Sequence, residues 1–253
     1  MERGDVKWDA ALTGATLHNK LVSLGAITIP AQAEISPDLT YRYVLGKPLA
    51  SWYSSQITSI DTIAGFATVT DAPVFSSPQF PTFTANFSST VTFFRNFRLY
   101  GLITHQQGAK ILNVTPLYQD LTGTSGGLNL PADQGGYSKA ERIAHSGPFK
   151  TAAGASVPLV LDRYLQPTDF VRLQEVSLSY DLPVNLAQRA RAQGASLVIG
   201  ARNLHVWKKK AFDGPDPELQ ANTVNGGQGQ FASVEEFTVP NPRRWLVRLN
   251  LAF

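Results

Sequence analysis

The sequence predicts an all-β fold: an antiparallel transmembrane β-barrel segment of about seven strands, with long extracellular loops. Several segments alternate apolar and polar residues with a period of two, which gives each strand a lipid-facing side and a water-facing side. Long polar, glycine-rich segments separate some of these strands. No apolar run approaches the roughly 18 residues of a membrane helix. Because only helices and closed barrels satisfy their backbones in lipid, any membrane-spanning part must consist of strands.

The C-terminal segment is the clearest strand of the sequence. Its apolar series consists of Trp245, Val247, Leu249, Leu251 and Phe253. The alternate positions are more polar and include Arg244, Arg248 and Asn250. We expect the apolar series to face lipid and, with its terminal aromatic residue, to act as an outer-membrane assembly signal.

Six further strands are predicted from the same alternation, at about 7–17, 40–60, 83–94, 97–104, 170–182 and 195–207, and the second of them is interrupted at 46–48. The third of these is the most regular, and Arg95 and Asn96 form a tight turn before the fourth, as in a hairpin. The alternation of the predicted strand at 195–207 becomes irregular near Arg202. We expect a helical turn at 186–189, in the connection before this strand.

Two long segments, at about 115–168 and 208–242, are predicted to be loops because they are rich in glycine and proline. Loops of this length argue against a compact soluble domain, but they are common on the extracellular side of a barrel. The later connections alternate between short and long, as periplasmic turns and outer loops do. The loops carry aromatic residues that could stack on sugar rings or pack the loops themselves, namely Tyr118, Tyr137, Tyr164, Phe212 and Phe231.

The composition excludes several classes of function. Charged residues make up only 16% of the chain, against about 25% in a typical soluble domain. The net charge of +3 is too slight to predict binding to nucleic acid. The absence of cysteine excludes disulfides, thiolate metal sites and cysteine nucleophiles.

We expect neither catalysis nor a cofactor. No histidine has a partner at a convincing metal-ligand spacing, and no nucleophile-elbow motif occurs. Asp213, Asp216 and Glu218 are a weak candidate for a calcium site, since that ion prefers clustered oxygen ligands. A rigid turn built with the neighbouring glycine and prolines is the favoured interpretation.

Several segments together resemble the C-terminal barrel portion of SusC/RagA-type TonB-dependent receptors. The segments that carry the resemblance are, in chain order, 46–48 with 52–53, 81–108, 170–183, 200–204 with Trp207, 216–218 and 242–253. The resemblance extends over nearly the whole chain, and its specificity comes from the order and spacing of these segments. It implies that residues 1–253 form part of a larger plugged barrel, in a class that has about 22 strands.

The resemblance also implies a function and a set of partners. Receptors of this family take up bulky nutrients, such as oligosaccharides or peptides, across the outer membrane of Gram-negative bacteria. The expected partners are outer-membrane lipid, a SusD-like surface lipoprotein, the TonB complex and the barrel assembly machinery. The first residues lack a signal sequence, and no plug domain precedes the strands. We therefore expect the chain to be a fragment, which contacts TonB only through a missing N-terminal part.

Within a barrel, the polar sides of the strands would carry the function. We expect a water-filled lumen to be lined by Arg98, Arg172, Glu175, Asp181, Arg202, Arg248 and Asn250. Two alternatives stay open: a small autonomous porin-like barrel, and a soluble secreted β-sandwich that binds glycans.

Overall fold

The computed structural model describes residues 2–3, 6–25, 34–35, 41–218 and 234–253. Its strands are, in chain order, β1 (Glu2–Arg3), β2 (Val6–Thr16), β3 (Glu34–Ile35), β4 (Tyr41–Val44), β5 (Ser51–Ser54), β6 (Ile57–Asp61), β7 (Phe66–Val69), β8 (Val74–Ser77), β9 (Phe83–Phe93), β10 (Phe97–Gln107), β11 (Lys110–Asn113), β12 (Phe149–Thr151), β13 (Ser156–Val157), β14 (Leu165–Pro167), β15 (Phe170–Asp181), β16 (Gly194–Lys208), β17 (Val234–Glu235) and β18 (Arg244–Ala252). Its helices are α1 (Val114–Leu121), α2 (Gly126–Asn129), α3 (Lys139–Ser146) and α4 (Val184–Arg189), with 3-10 helices at Ala132–Gln134 and Asp162–Tyr164. Phe231 lies outside the described residues.

The predominance of antiparallel strands is confirmed. One sheet, which we call the broad sheet, has the strand order β1, β2, β9, β10, β15, β16, β18, and all its pairings are antiparallel. Six of its strands are long and agree with predicted strands, apart from shifts of a few residues at their ends. The seventh, β1, has only two residues. Among the described residues the broad sheet stays open, with β1 and β18 at its edges.

The extended stretch predicted at 40–60 is confirmed in its interruption at 46–48, which is a turn, but it does not form a strand of the broad sheet. This region forms the short strands β4, β5 and β6, which belong to smaller sheets. A turn around Gly46, which adopts a φ of +82°, separates β4 from β5. All four residues of β5 are buried, so this strand has no side left for lipid or water.

The register of the broad sheet separates its side chains by polarity, because directly opposed residues of antiparallel strands share a face. One row across the six long strands consists of Trp8, Val91, Leu99, Leu178, Ile199 and Val247. The adjacent row, on the other side, consists of Lys7, Thr92, Arg98, Ser179, Val198 and Arg248. We call these two sides the apolar face and the polar face.

The irregular alternation near Arg202 reflects a β-bulge. Leu173 lies opposite His205 and Glu175 lies opposite Arg202, so β16 has one more residue than β15 at this point. Within the extra length Asn203 has a φ of +54°, a left-handed conformation that asparagine adopts more readily than most residues. The bulge restores the alternation on both sides of the irregularity.

The predicted hairpin between β9 and β10 is confirmed. Its connection has three residues, and two of them, Phe94 and Arg95, have positive φ angles. At this end of the sheet the Phe97 ring stacks on Phe93, with centroids 5.5 Å apart, and on Tyr180, at 4.4 Å. The helical turn expected at 186–189 is found in α4.

The long connections leave the opposite end of the broad sheet and fold into a structure that we call the cap. It contains three smaller sheets, helices α1–α3 and both 3-10 helices. Two apolar clusters hold it together, one around Trp52 and Tyr164, the other around Val69, Ile143 and Phe149. The prediction that 115–168 is only a loop is therefore wrong: this segment has its own elements, which bury their apolar residues against β5 and β7.

Candidate functional site: the polar face of the broad sheet

The polar face carries all seven residues for which the sequence predicted a lumen-facing position. Arg98, on β10, donates two hydrogen bonds to the Asp181 carboxylate, each of 2.9 Å. The Arg202 Nε donates to Glu175 Oε2 across the β15–β16 pairing, also at 2.9 Å. These ion pairs connect neighbouring strands on one side of the sheet. Whether this side lines a lumen stays a prediction.

The edge strand β18 presents a different arrangement. Asn250 donates to the Ser196 hydroxyl at 3.1 Å. Arg244 lies directly opposite Arg202, and Arg248 lies opposite Val198. Neither Arg244 nor Arg248 has a carboxylate partner among the described residues. The polar face therefore has uncompensated positive charge along β18.

Arg172 is the one predicted lumen residue that is fully buried. It lies at the cap end of the polar face, opposite Thr104, and one side of its guanidinium faces the Phe170 ring at 5.3 Å. Its Nη2 contacts the carboxylates of Asp216 and Glu218, the latter at 3.1 Å. Through these ion pairs Arg172 connects the loop after β16 to the sheet.

The weak metal candidate has other partners. Asp216 and Glu218 bind Arg172, whereas Asp213 accepts a hydrogen bond of 2.9 Å from Gln166. The Glu218 backbone also donates to the Asp216 carboxylate at 3.1 Å, as in a tight turn. Among the described residues, no three histidine or acidic side chains are grouped to hold a metal ion.

The cap contains a buried polar network that the sequence did not reveal. The Asp120 carboxylate accepts a hydrogen bond of 2.8 Å from Tyr164 and contacts His145 Nδ1. The Tyr137 ring stacks on the imidazole, with centroids 3.9 Å apart. Burial lowers the pKa of His145, which the hydrogen bond to Asp120 opposes, and burial raises the pKa of Tyr164. Asp120, His145 and Tyr164 come from distant parts of the segment 115–168, and no motif connects them in the sequence.

Most of the loop aromatic residues pack the cap. Tyr164 and Phe212 are almost completely buried, so they have no surface for a sugar ring. Tyr137 is engaged with His145. Tyr118 is partly exposed and stacks on Phe237 at 5.9 Å.

The apolar face of the broad sheet is open. Trp245 is 77% exposed and Val247 is 71% exposed, and both project from β18. Leu249 and Leu251 are also exposed, so no second layer of the described protein covers them. No helix in the described part of the chain is long and apolar enough to cross a membrane.

These features define a class of fold: a broad antiparallel sheet with one apolar and one polar face, joined at one end by long connections and at the other by short ones. Strands of outer-membrane β-barrels show the same separation of apolar and polar faces. The residues that distinguish the two faces are distributed over all six long strands.

Comparison with known proteins finds a similar TonB-dependent receptor. No protein-family model matches the chain. A stretch of 195 residues, 75% of the chain, is 25% identical to the TonB-dependent receptor P3 of Formosa agariphila and covers 18% of that receptor.

Solved structures have the same fold over the whole chain. The RagAB peptide importer in its open-open and closed-closed states aligns with a TM-score of 0.68 each, at 20% and 19% identity, and the chain covers 27% and 28% of those chains. A further structure of the RagAB peptide transporter gives 0.72 at 18% identity, with 28% covered. The resemblance to SusC/RagA-type TonB-dependent receptors is confirmed. The chain spans only a minor part of each of these relatives.

Proposed function

We propose that this chain is the C-terminal barrel part of a TonB-dependent receptor in the outer membrane of a Gram-negative bacterium. In this role it contributes to the uptake of a bulky nutrient, an oligosaccharide or a peptide. The observation that carries the proposal is the apolar row from Trp8 to Val247, which runs across six neighbouring strands and is not covered by any other layer of the described residues.

The energetics favour lipid as the covering of the apolar face. Monomeric soluble proteins rarely expose contiguous apolar patches of more than a few hundred Å². Hydrocarbon removes this surface from water at no cost in hydrogen bonds, because the backbone groups inside the sheet already pair with each other. A second protein sheet would do the same, but Leu249 and Leu251 are exposed.

The polar face supports an aqueous interior. Its ion pairs between Arg98 and Asp181 and between Arg202 and Glu175 are partly exposed, as expected for side chains in a wet lumen. The open edges at β1 and β18 require further strands, which a larger barrel would supply. An autonomous barrel would instead have to close with the strands described.

The partners follow from the same proposal. We propose a SusD-like surface lipoprotein on the cap side, contact with the TonB complex through a part of the receptor outside this chain, and insertion by the barrel assembly machinery. The terminal series, from Trp245 to Phe253, is proposed as the assembly signal. The named relatives are a receptor and a peptide importer, which supports transport rather than catalysis.

Tryptophan quenching by brominated lipid tests the membrane assignment. Trp8 and Trp245 project from the apolar face, whereas Trp52 is completely buried in the cap and serves as an internal control. In brominated bilayers we expect strong quenching that decreases in Trp8→Phe and Trp245→Phe. Trp52→Phe should increase the quenched fraction, because it removes an emitter that bromine cannot reach. Unchanged emission in brominated lipid, with a monomeric protein in detergent-free buffer, would support the soluble sandwich.

Growth of the source bacterium tests uptake. Deletion of the gene should abolish growth on one class of large peptide or oligosaccharide and leave growth on its monomers intact. Loss of TonB should reproduce the defect. Growth that is independent of TonB would favour the porin-like alternative.

A further inference from the structure

Arginine and carboxylate side chains are paired across the inner strands of the polar face. Arg98 and Arg202 each hold a carboxylate of β15 at 2.9 Å. Arg172 holds two carboxylates of the cap loop. A guanidinium presents a planar fork of donors that matches a carboxylate, so this pairing satisfies both groups.

Arg244 and Arg248 depart from this pattern. Arg244 lies directly opposite Arg202, and like charges in directly opposed positions destabilise a sheet. Glu175 lies in the same row, but Arg202 already binds it. Within the described residues no other carboxylate reaches either arginine.

The neighbouring loop cannot compensate this charge. Residues 219–233, in the connection before β18, contain no aspartate or glutamate. Glu235 is completely buried, and its carboxylate accepts hydrogen bonds from Thr238. Glu236, the other acidic residue described between 234 and 243, forms no ion pair with Arg244 or Arg248. A carboxylate that pairs with either arginine would therefore come from another molecule or from another part of the protein.

The spacing of the two arginines indicates the shape of the ligand. They lie four residues apart on one face of a strand, which corresponds to roughly 13 Å along its axis. An extended peptide with acidic residues at positions i and i+4 has its carboxylates at the same spacing. Arg244 is the first residue of β18 and lies at the cap end, where cargo that has passed the cap would first meet the polar face.

We propose that Arg244 and Arg248 form a binding site for the carboxylates of an extended acidic peptide, which is cargo of the receptor. The proposal rests on the uptake function and specifies its substrate class. The first carboxylate binds Arg244 at the cap end, and its negative charge reduces the repulsion between Arg244 and Arg202. Arg248 binds the second, further along the strand.

Peptide binding to the full chain in detergent micelles tests the site. The probe is a fluorescein-labelled peptide of sequence Glu-Thr-Val-Thr-Glu, compared with its counterpart in which glutamine replaces both glutamates. At low ionic strength we expect the acidic peptide to bind about tenfold more tightly, and the difference to shrink as salt is added. Arg244→Gln and Arg248→Gln should each weaken its binding about threefold.

Arg98→Gln is the matched control, because it removes the same charge from the same face. Arg98 is already occupied by Asp181, so we expect its loss to change affinity by less than about twofold. Arg244→Lys and Arg248→Lys keep the charge but lose the planar fork, and intermediate affinities are expected. Quenching by brominated detergent verifies that each variant folds.

Three outcomes would overturn the proposal. Equal binding of the two peptides excludes carboxylate recognition. Equal losses of peptide affinity in Arg98→Gln and Arg244→Gln would mean that binding depends only on the overall charge of the face. Binding to this chain but not to the product of the whole reading frame means that a segment of the same protein occupies the arginines. In each case strong quenching by brominated lipid would leave the membrane assignment intact, so the two failures are distinguishable.

Discussion

The broad sheet and the cap use apolar residues in opposite ways. Trp52, in the cap, is completely buried, whereas Trp245, on β18, is 77% exposed. The largest clusters of buried apolar residues belong to the cap. The long strands instead direct their apolar side chains away from the rest of the described protein.

Under the proposed function, this difference in the use of apolar residues corresponds to two solvents. The cap buries its apolar side chains as a water-soluble domain does, and the hydrophobic effect stabilises it internally. The broad sheet has the organisation that a strand needs when its outer surroundings are hydrocarbon. Under the proposed function, a single chain combines a soluble type of core with a membrane type of sheet, and the junction lies where the long connections leave the strands.

Polar groups differ between the two regions as well. The ion pair of Arg98 with Asp181 is about half exposed. In the cap, Asp120 and His145 are buried together with the Tyr164 hydroxyl. A buried polar group costs much more when it loses its partner than an exposed one does, so substitutions in the two regions should differ in effect.

Paired tryptophan substitutions should give the largest difference. Trp52→Ala removes a large side chain from the centre of a core and should lower the free energy of unfolding of the cap by about 3–5 kcal/mol. Trp245→Ala, on the open apolar face, should leave the cap unchanged. Thermal melting followed by near-UV circular dichroism measures both. Equal destabilisation by the two variants would mean that the regions do not differ as described.

Adjacent arginine substitutions on β15 compare the two faces of the sheet. Leu178 lies on the apolar face and Ser177 on the polar face. Leu178→Arg should weaken insertion into bilayers by about 2–4 kcal/mol, because it transfers a charge into hydrocarbon. Ser177→Arg should have little effect, since its new charge lies near Glu175 in water. Partitioning into lipid vesicles measures both, and the comparison fails if Ser177→Arg is equally harmful.

The sequence predicted the broad sheet well because a period of two is a local signal. The alternation in 83–94, 170–182 and 244–252 depends only on neighbouring residues, and each segment is found as a strand at that position. The same signal identified the polar side chains that share a face. Even the irregularity at Arg202 corresponded to a physical feature, the bulge at Asn203.

The sequence predicted the cap poorly because its contacts are not local. Tyr164 meets Asp120 across 44 positions of the chain, and Trp52 donates to a backbone carbonyl 58 positions away. Glycine and proline in 115–168 indicate turns but give no information about what packs between them. For the same reason the sequence indicated extended structure at 40–60, interrupted at 46–48, but did not reveal that its strands lie in two small sheets.

We expect His145 to make the stability of the cap depend on pH. Burial lowers the pKa of His145, with an opposing effect from Asp120 and minor ones from Arg163 and Glu141, so the folded cap resists protonation. Stability is then greatest above the ordinary histidine pKa of 6.5 and falls as the pH decreases, by at most about 1.4 kcal/mol per pH unit. Melting of the cap between about pH 7.5 and 5.5 measures this dependence.

Two variants separate the effect of this histidine from general acid sensitivity. His145→Asn retains a donor towards Asp120 but does not titrate, and should flatten the pH dependence. His18→Asn replaces an exposed histidine outside the buried network and is the control variant. An unchanged slope in His145→Asn would assign the sensitivity to another group.

The ion pair between Arg98 and Asp181 should give the smallest effect. Its side chains are 51% and 46% exposed, and exposed pairs contribute about 0–1 kcal/mol. Arg98→Gln should therefore lower the unfolding free energy of the sheet only slightly, and added salt should diminish the effect further. Denaturant unfolding in micelles, followed by tryptophan emission, measures the change. A loss above about 2 kcal/mol would mean that the pair is shielded from water, and the polar face would then be a packed interior instead of a wet surface.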